Sequence, residues 1–246
     1  MPVIAADLTV HGAANMPEDD ASLTGGAIDT AVQVELTALA ANDVLEAVSD
    51  NAADTMNLTI TGRLASGSIA SETVALNGLT VVQFPANTLE RVLKHVLALV
   101  AAGTITIRRT GGGATVATLA PGRSSGRRLF YASASEAGAT TRFEKVFKKN
   151  ENATLTLNSA AVKLTADPAA VIRIGCAPTK GDSATVANRK TTPAGVTFVD
   201  DGVSQGVPTG ALAAAETIGV WVEQALGAGA AAIKSSCSIE LAGTTA

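Results

Sequence analysis

Residues 103–128 read GTITIRRTGGGATVATLAPGRSSGRR and hold the residue types most able to do chemistry: three consecutive glycines and a Gly-x-Ser-x-Gly string. A glycine-rich loop cradles phosphate when its amides converge at the start of a helix and a Gly-Lys-Ser/Thr supplies the lysine. Gly111-Gly112-Gly113 is followed instead by ATVATLA, which alternates like a returning strand. The pattern predicts a hairpin, with TITIRR running out, TGGG supplying positive φ angles and ATVATLA running back. Gly122-Arg123-Ser124-Ser125-Gly126 matches the nucleophile elbow of an esterase only as a string. That elbow needs a buried strand before it, a helix after it, and an acid and a histidine later in the chain. Both histidines, His11 and His95, precede Ser124, and RRLFYA after it reads as a strand.

The remaining reactive residues are equally sparse. Neither histidine has a second His or Cys at ligand spacing; His11 is expected to be exposed, and His95 to lie on a strand or helix surface. Asp19-Asp20 and Asp200-Asp201 lack the alternating oxygen spacing of a calcium loop and read as solvated turns. Cys176 and Cys237 are too few for a disulfide framework. Each falls on an apolar parity (Ile172, Ile174, Cys176; Cys237, Ile239, Leu241), which predicts reduced, buried thiols. The expectation is therefore a non-enzymatic protein with no catalytic residue, cofactor or metal.

The elements that would position any site are short strands. Of 246 residues, 47% are apolar, 16% charged and 3% aromatic, so the core must be built from Val, Ile, Leu and Ala. Gly, Ser, Thr and Asn between short apolar runs give the pattern of a many-stranded all-β chain. Strands are expected at TAVQVELTAL (30–39), VLEAVS, NLTITGRL and SETVAL, with Asn77-Gly78 as a hairpin turn. Further strands are expected at LTLNSAAVKL, AAVIRIGCA, GVTFVDD, TIGVWVEQ and SSCSIEL. No apolar run approaches the ~20 residues of a membrane span, and the N-terminus lacks the pattern of a signal peptide. A soluble protein made in the cytoplasm is the expectation.

Residues 89–100, LERVLKHVLALV, have helical periodicity in Leu89, Val92, Leu93, Val96, Leu97 and Val100. A faint repeat favours strands: Leu89–Lys94 resembles Phe143–Lys148, and the runs TITI and TLTL follow. Only Lys149–Asn152 separates the halves of the second copy, which predicts strand–turn–strand in both, with the helix as the alternative. The repeat, with SASEAGATT (133–141) as a linker, divides the chain. The expected fold is all-β: an extended arm over 1–28 and two β-sandwich-like units over 29–140 and 141–246.

Charge is unevenly distributed. Residues 1–62 hold ten acidic residues and no Lys or Arg, whereas residues 63–149 hold twelve Lys/Arg against four acids. Such polarity predicts complementary contacts between subunits of a homo-oligomer, or a basic face for an anionic partner. The arm supplies apolar anchors (Val3, Ile4, Leu8, Val10) and carboxylates (Glu18, Asp19, Asp20); Arg123, Arg127 and Arg128 are candidate partners. In the basic middle, Arg123, Arg127, Arg128, Arg142, Lys145, Lys148 and Lys149 interleave with Phe130, Tyr131, Phe143 and Phe147. Rings among cations suit single-stranded nucleic acid and also protein interfaces. Core packing ranks first, an interface second and nucleic acid third.

The segments RFEKVFKKNENATLTLNSAAVKLTADPAAVIRIGCAP and NRKTTPAGVTFVDDGVSQGVP resemble virion structural proteins of tailed bacteriophages. The resemblance covers the second half well and the first half loosely, in a style of strand and turn. It implies a non-enzymatic β-rich particle subunit present in many copies, located in the virion, whose partners are the capsid or neighbouring virion subunits. Within that class a capsid decoration or cement protein ranks first, and a neck, tail or baseplate component second. From another class, a carbohydrate-binding adhesin would need exposed aromatic platforms, for which Trp221 and Tyr131 are the candidates.

Overall fold

The computed structural model describes residues 2–36, 39, 41–130, 138–230 and 236–245. The chain is all-β, with single-turn 3-10 segments at Ala5–Asp7 and Pro208–Gly210. It forms two compact units, a discontinuous one of residues 1–29 and 132–246 and an inserted one of residues 30–131.

In chain order, β1 (Leu8–Asn15) and β2 (Thr24–Asp29) open the discontinuous unit. The inserted unit follows with β3 (Val32–Gln33), β4 (Asp43–Ser49), β5 (Asn57–Leu64), β6 (Ile69–Ala75), β7 (Val82–Leu97), β8 (Ile105–Arg109), β9 (Thr115–Leu119) and β10 (Ser125–Arg127). The chain then returns to the discontinuous unit with β11 (Thr140–Asn150), β12 (Leu157–Ala166), β13 (Ile172–Lys180), β14 (Thr185–Val186), β15 (Ser204–Gly206), β16 (Ala211–Leu212), β17 (Thr217–Leu226) and β18 (Ser238–Thr244).

The discontinuous unit has two sheets. One runs β13-β17-β11-β1-β2-β14; the other is built on β12, flanked by β15 and β16 on one edge and β18 on the other. β11 and β17 pair over ten residues and are buried on both faces, which removes the usual alternation from both. The expected free arm is instead part of this sheet. β1 pairs with β11 from Leu8↔Asn150 to Gly12↔Val146, and β2 pairs with β1 and β14. His11, Gly12 and Ala13 are buried in succession, so no period of two marked the strand. Gly25 and Gly26 lie inside β2.

The inserted unit is one curled sheet in the order β3-β10-β7-β4-β8-β9, with β5 on β7 and β6 on β5. Gln33 Nε2 donates to Thr118 O at 2.8 Å, tying β3 to β9 so that the sheet closes on itself like a barrel. Leu45, Leu58, Ile60, Leu89, Val92, Leu97, Ile105, Ile107 and Leu119 are among its aliphatic core.

Residues 89–97 belong to β7, a strand and not a helix. The helical look has a specific origin. Opposite β5, Thr61 pairs with Lys94 but Gly62 with Val92, and Arg63 pairs with Arg91 but Leu64 with Leu89. Two extra residues, Leu93 and Glu90, therefore sit opposite none and shift the parity twice. The buried positions become 89, 92, 93, 95 and 97, which mimics a helical stripe.

Other expectations need revision. β7 and β8 are separated in the sheet by β4, and β11 and β12 lie in different sheets, so neither copy of the repeat is a hairpin. Asn77-Gly78 does turn the chain, with Thr80 N donating to Asn77 O at 2.9 Å, but β6 and β7 both pair with β5 and not with each other. Among the described residues of TAVQVELTAL only Val32–Gln33 is strand, paired with the three-residue β10. GVTFVDD contributes one bridge, Val199 to Ile174. RRLFYA stops at Arg127; Phe130 is buried in a turn at φ 51°. Tyr131 and most of the SASEAGATT linker lie outside the described residues.

Candidate interaction surface

The triple-glycine loop does hold an oxyanion, but an internal one. β8 and β9 form the expected hairpin, with Gly111 and Gly112 at φ 73° and 72°. Their amides donate to the carboxylate of Glu46 on β4, each at 3.0 Å, and Arg108 Nε donates to it at 2.7 Å. Burial pushes the Glu46 carboxyl up, yet the Gly112 amide, Arg108 and Gly111 together hold it below its ordinary value. Ser124 and its neighbours lead into β10 and not into a helix, so the elbow geometry is not formed.

The candidate interface residues fall into both units. Val3, Leu8 and Val10 are half-buried and Ile4 is exposed; Asp19 caps the Ala21 and Ser22 amides, and Glu18 is half-buried. Asp20 is taken up within the chain. Arg142 binds it through Nε and Nη2 at 2.9–3.1 Å, Lys190 Nζ lies at 3.3 Å and Arg189 Nη1 at 3.8 Å. Burial raises the Asp20 carboxyl, but these cations hold it low. Arg123, Arg127 and Arg128 are in the inserted unit, donating to the carbonyls of Thr30, Arg128 and Val92. Much of the charge asymmetry is thus resolved inside the chain: Asp43 meets Arg109, Glu46 meets Arg108, and Asp20 meets Arg142.

In the basic middle the described rings are core. Phe143 and Phe147 are buried, and Phe143 meets Phe198 at 5.4 Å between centroids. Lys145 is wholly buried; its ammonium reaches Asp182 Oδ2 at 2.5 Å and the carbonyls of Gly26, Asp182 and Ala184 at 3.0–3.3 Å. The expectation of two surface histidines fails. His11 is buried at the centre of β1, where its Nε2 meets Thr9 Oγ1 at 2.8 Å, and His95 is buried in β7. Cys176 and Cys237 are unbridged but only half-buried, so full burial is also corrected. Among the described residues no group of three His, Cys, Asp or Glu side chains is placed to hold a metal ion, and no helix is long and apolar enough to cross a membrane.

One surface feature was not anticipated. At one end of the inserted unit three loops converge on Asp54, which is 0% exposed. Its carboxylate accepts from Ser49 Oγ at 2.6 Å, Ala102 N at 2.8 Å and Gly103 N at 2.9 Å; its carbonyl accepts from Gly78 N at 3.0 Å. Burial opposes ionisation here, but Ser49 and the two amides outweigh it and keep the pKa low. The 76–81 and 98–104 loops are thereby anchored to the 50–56 turn. They carry Leu79, Leu99 and Val100, which are 63%, 67% and 56% exposed. The signal for Leu79 was present, since Asn77-Gly78 puts the next residue at a turn tip. Leu99 and Val100 were hidden inside the apolar run VLALVAA, which reads as continuing strand.

Comparison with protein-family models, with curated proteins and with solved structures gives no match.

Proposed function

We propose that the chain is a non-enzymatic structural protein of a tailed-bacteriophage virion, a decoration or cement subunit that binds the assembled shell and stabilises it. The observation that carries the reading is the apolar end of the inserted unit. Leu79, Leu99 and Val100 stand in water on loops that a single buried carboxylate fixes. Aliphatic side chains held this way lose free energy that covering by a neighbour returns, about 1.5–3 kcal/mol for each one fully buried. Preorganised loops also spare the partner most of the ordering cost. The sequence resemblance supports seeking that neighbour in a virion. A carbohydrate-binding module draws less support, because Trp221, its main platform candidate, is 1% exposed.

Quantitative mass spectrometry of purified virions tests the reading. Hundreds of copies per particle support the shell; about a dozen, the order set by ring symmetry, place the chain at the neck or baseplate. Absence from virions overturns the whole class. A Leu79→Ser/Leu99→Ser/Val100→Ser variant should stay folded and lose attachment to shells.

A further inference from the structure

His95 lies in β7, in register with Ile60 of β5 on one side and Gly126 of β10 on the other. It is 1% exposed, and neither Nδ1 nor Nε2 has a hydrogen-bond partner among the described residues. A Cβ at position 126 would stand 2.4 Å from its Cε1 and Nε2, so the ring occupies the space a side chain there would need. A neutral imidazole tolerates this enclosure. An imidazolium has two N–H donors and a charge, and burial with neither nitrogen partnered among the described residues makes both costly.

The titratable groups on the strands beside the ring are mostly cationic and none is a hydrogen-bond partner for it among the described residues. β7 carries Arg91 and Lys94; β5 places Arg63 opposite Arg91, and β10 places Arg127 opposite Lys94. Arg128 reaches Val92 O at 2.7 Å, and its pKa is pushed down to about 10 by burial and then by Arg91. Glu90, also on β7, is bound to Arg63 at 2.8 Å. Lys94 and Arg127 alternate to the face opposite His95, and Ile60, with Thr59 and Thr61 beside it, does not titrate. Protonation would add a positive charge to three strands that already carry Arg63, Arg91, Lys94 and Arg127. Burial alone already holds the ring down to about 4.

We propose that His95 is an acid-sensitive latch: protonation of its ring parts β10 from β7 and opens the inserted unit at this seam while the discontinuous unit stays folded. β10 suits the role, being three residues long and held to β7 beside His95 by Leu97 N to Ser124 O at 2.7 Å and Arg128 N to Leu93 O at 2.9 Å. The sign follows from linkage. A released histidine titrates near 6.5 and the enclosed one near 4, so the open form binds more protons between those values. The closed form loses stability as pH falls through that window and no further below it. The full swing is about 300-fold in the opening equilibrium.

Peptide-resolved hydrogen exchange, corrected for the intrinsic pH dependence of amide exchange, tests this at pH 7 and 4.5. Protection over residues 89–97 and 122–129 should fall roughly 50- to 100-fold in the wild type. In His95→Gln, which cannot take the charge, it should hold steady. Trp221, the single tryptophan, belongs to the discontinuous unit and should keep its buried emission throughout. Equal acid loss in His95→Gln, or a Trp221 change in step with β10, overturns the latch. Because the chain has two histidines, the wild-type proton resonances decide the matter if the variant does not fold. His95 titrating near 6.5 with protection intact overturns it; titration well below 5, together with the opening of β10, supports it.

Discussion

Lys145 Nζ, on β11, and Asp182 Oδ2 lie 2.5 Å apart, with the lysine side chain fully buried. The ammonium also stands 4.9 Å from the Phe147 ring centroid and 5.5 Å from that of Trp221. Burial lowers the lysine pKa, and Asp182 opposes that shift. Three carbonyl acceptors complete a shell that replaces water around the charge.

Removing one partner should therefore be severe. Lys145→Ala is expected to cost about 3–5 kcal/mol, since Asp182 would keep a largely enclosed carboxylate with no cation. Urea unfolding followed by Trp221 fluorescence reads the loss directly. A midpoint within error of the wild type would show the pair to be dispensable.

The N-terminal strands give a second expectation. Deleting residues 1–29 strips β1 from the edge of β11 and takes Asp20 from Arg142 and Lys190. The discontinuous unit should fail to fold, giving solvent-exposed Trp221 emission, while residues 30–131 keep their strand circular dichroism. A truncated protein with buried Trp221 would contradict the architecture.

Asp54→Ala removes the acceptor shared by Ser49 Oγ and the amides of Ala102 and Gly103. A loss of about 3 kcal/mol or more is expected for the inserted unit, because hydrogen bonds to a buried charge are strong and their donors would be stranded. The wild-type contribution has a definite pH dependence. A carboxylate with a depressed pKa stabilises fully above its unfolded value near 3.8 and loses that stability as pH falls through the folded value. Asp54→Ala should flatten this part of the acid titration.

Cys176 should react slowly. Burial raises its pKa to about 11, and that of Cys237 rises through burial and then Asp167. At pH 8 the Cys176 thiolate is roughly a hundredfold scarcer than for an ordinary cysteine. Alkylation followed by peptide mapping should show that factor, and labelling at the rate of an exposed thiol would refute it.

What the sequence revealed depended on how cleanly its pleat was one-sided. NLTITGRL coincides with β5, and the 105–119 hairpin was readable because alternation and triple glycine agree. β1 and β2 were lost because both faces are covered and Gly25 and Gly26 sit inside the ladder. β7 carries a helical periodicity because two bulges shift its period. The site residues were harder still. Asp20, Glu46 and Asp54 are charges whose partners, Ser49 beside Asp54 apart, lie between 48 and 170 residues away, and no local pattern encodes such pairing. Leu99 and Val100 were read as strand because hydrophobicity alone cannot say whether an aliphatic residue faces inward.

The split of the discontinuous unit sets an order for synthesis. β1 leaves the ribosome first yet must wait for β11, whose Asn150 meets Leu8. At about 5–20 residues per second that delay is roughly 7–28 s. The intervening segment can close in the meantime, and its closure has a geometric effect. The Ala31 carbonyl accepts from the amides of Ser124 and Ser125, so the two ends of the inserted unit come together as it folds. The span separating β2 from β11 then behaves as a short loop, and the chain entropy still to be lost falls by something on the order of 1–2 kcal/mol. The inserted unit thereby acts as a folding staple for the sheet whose strands flank it in the sequence.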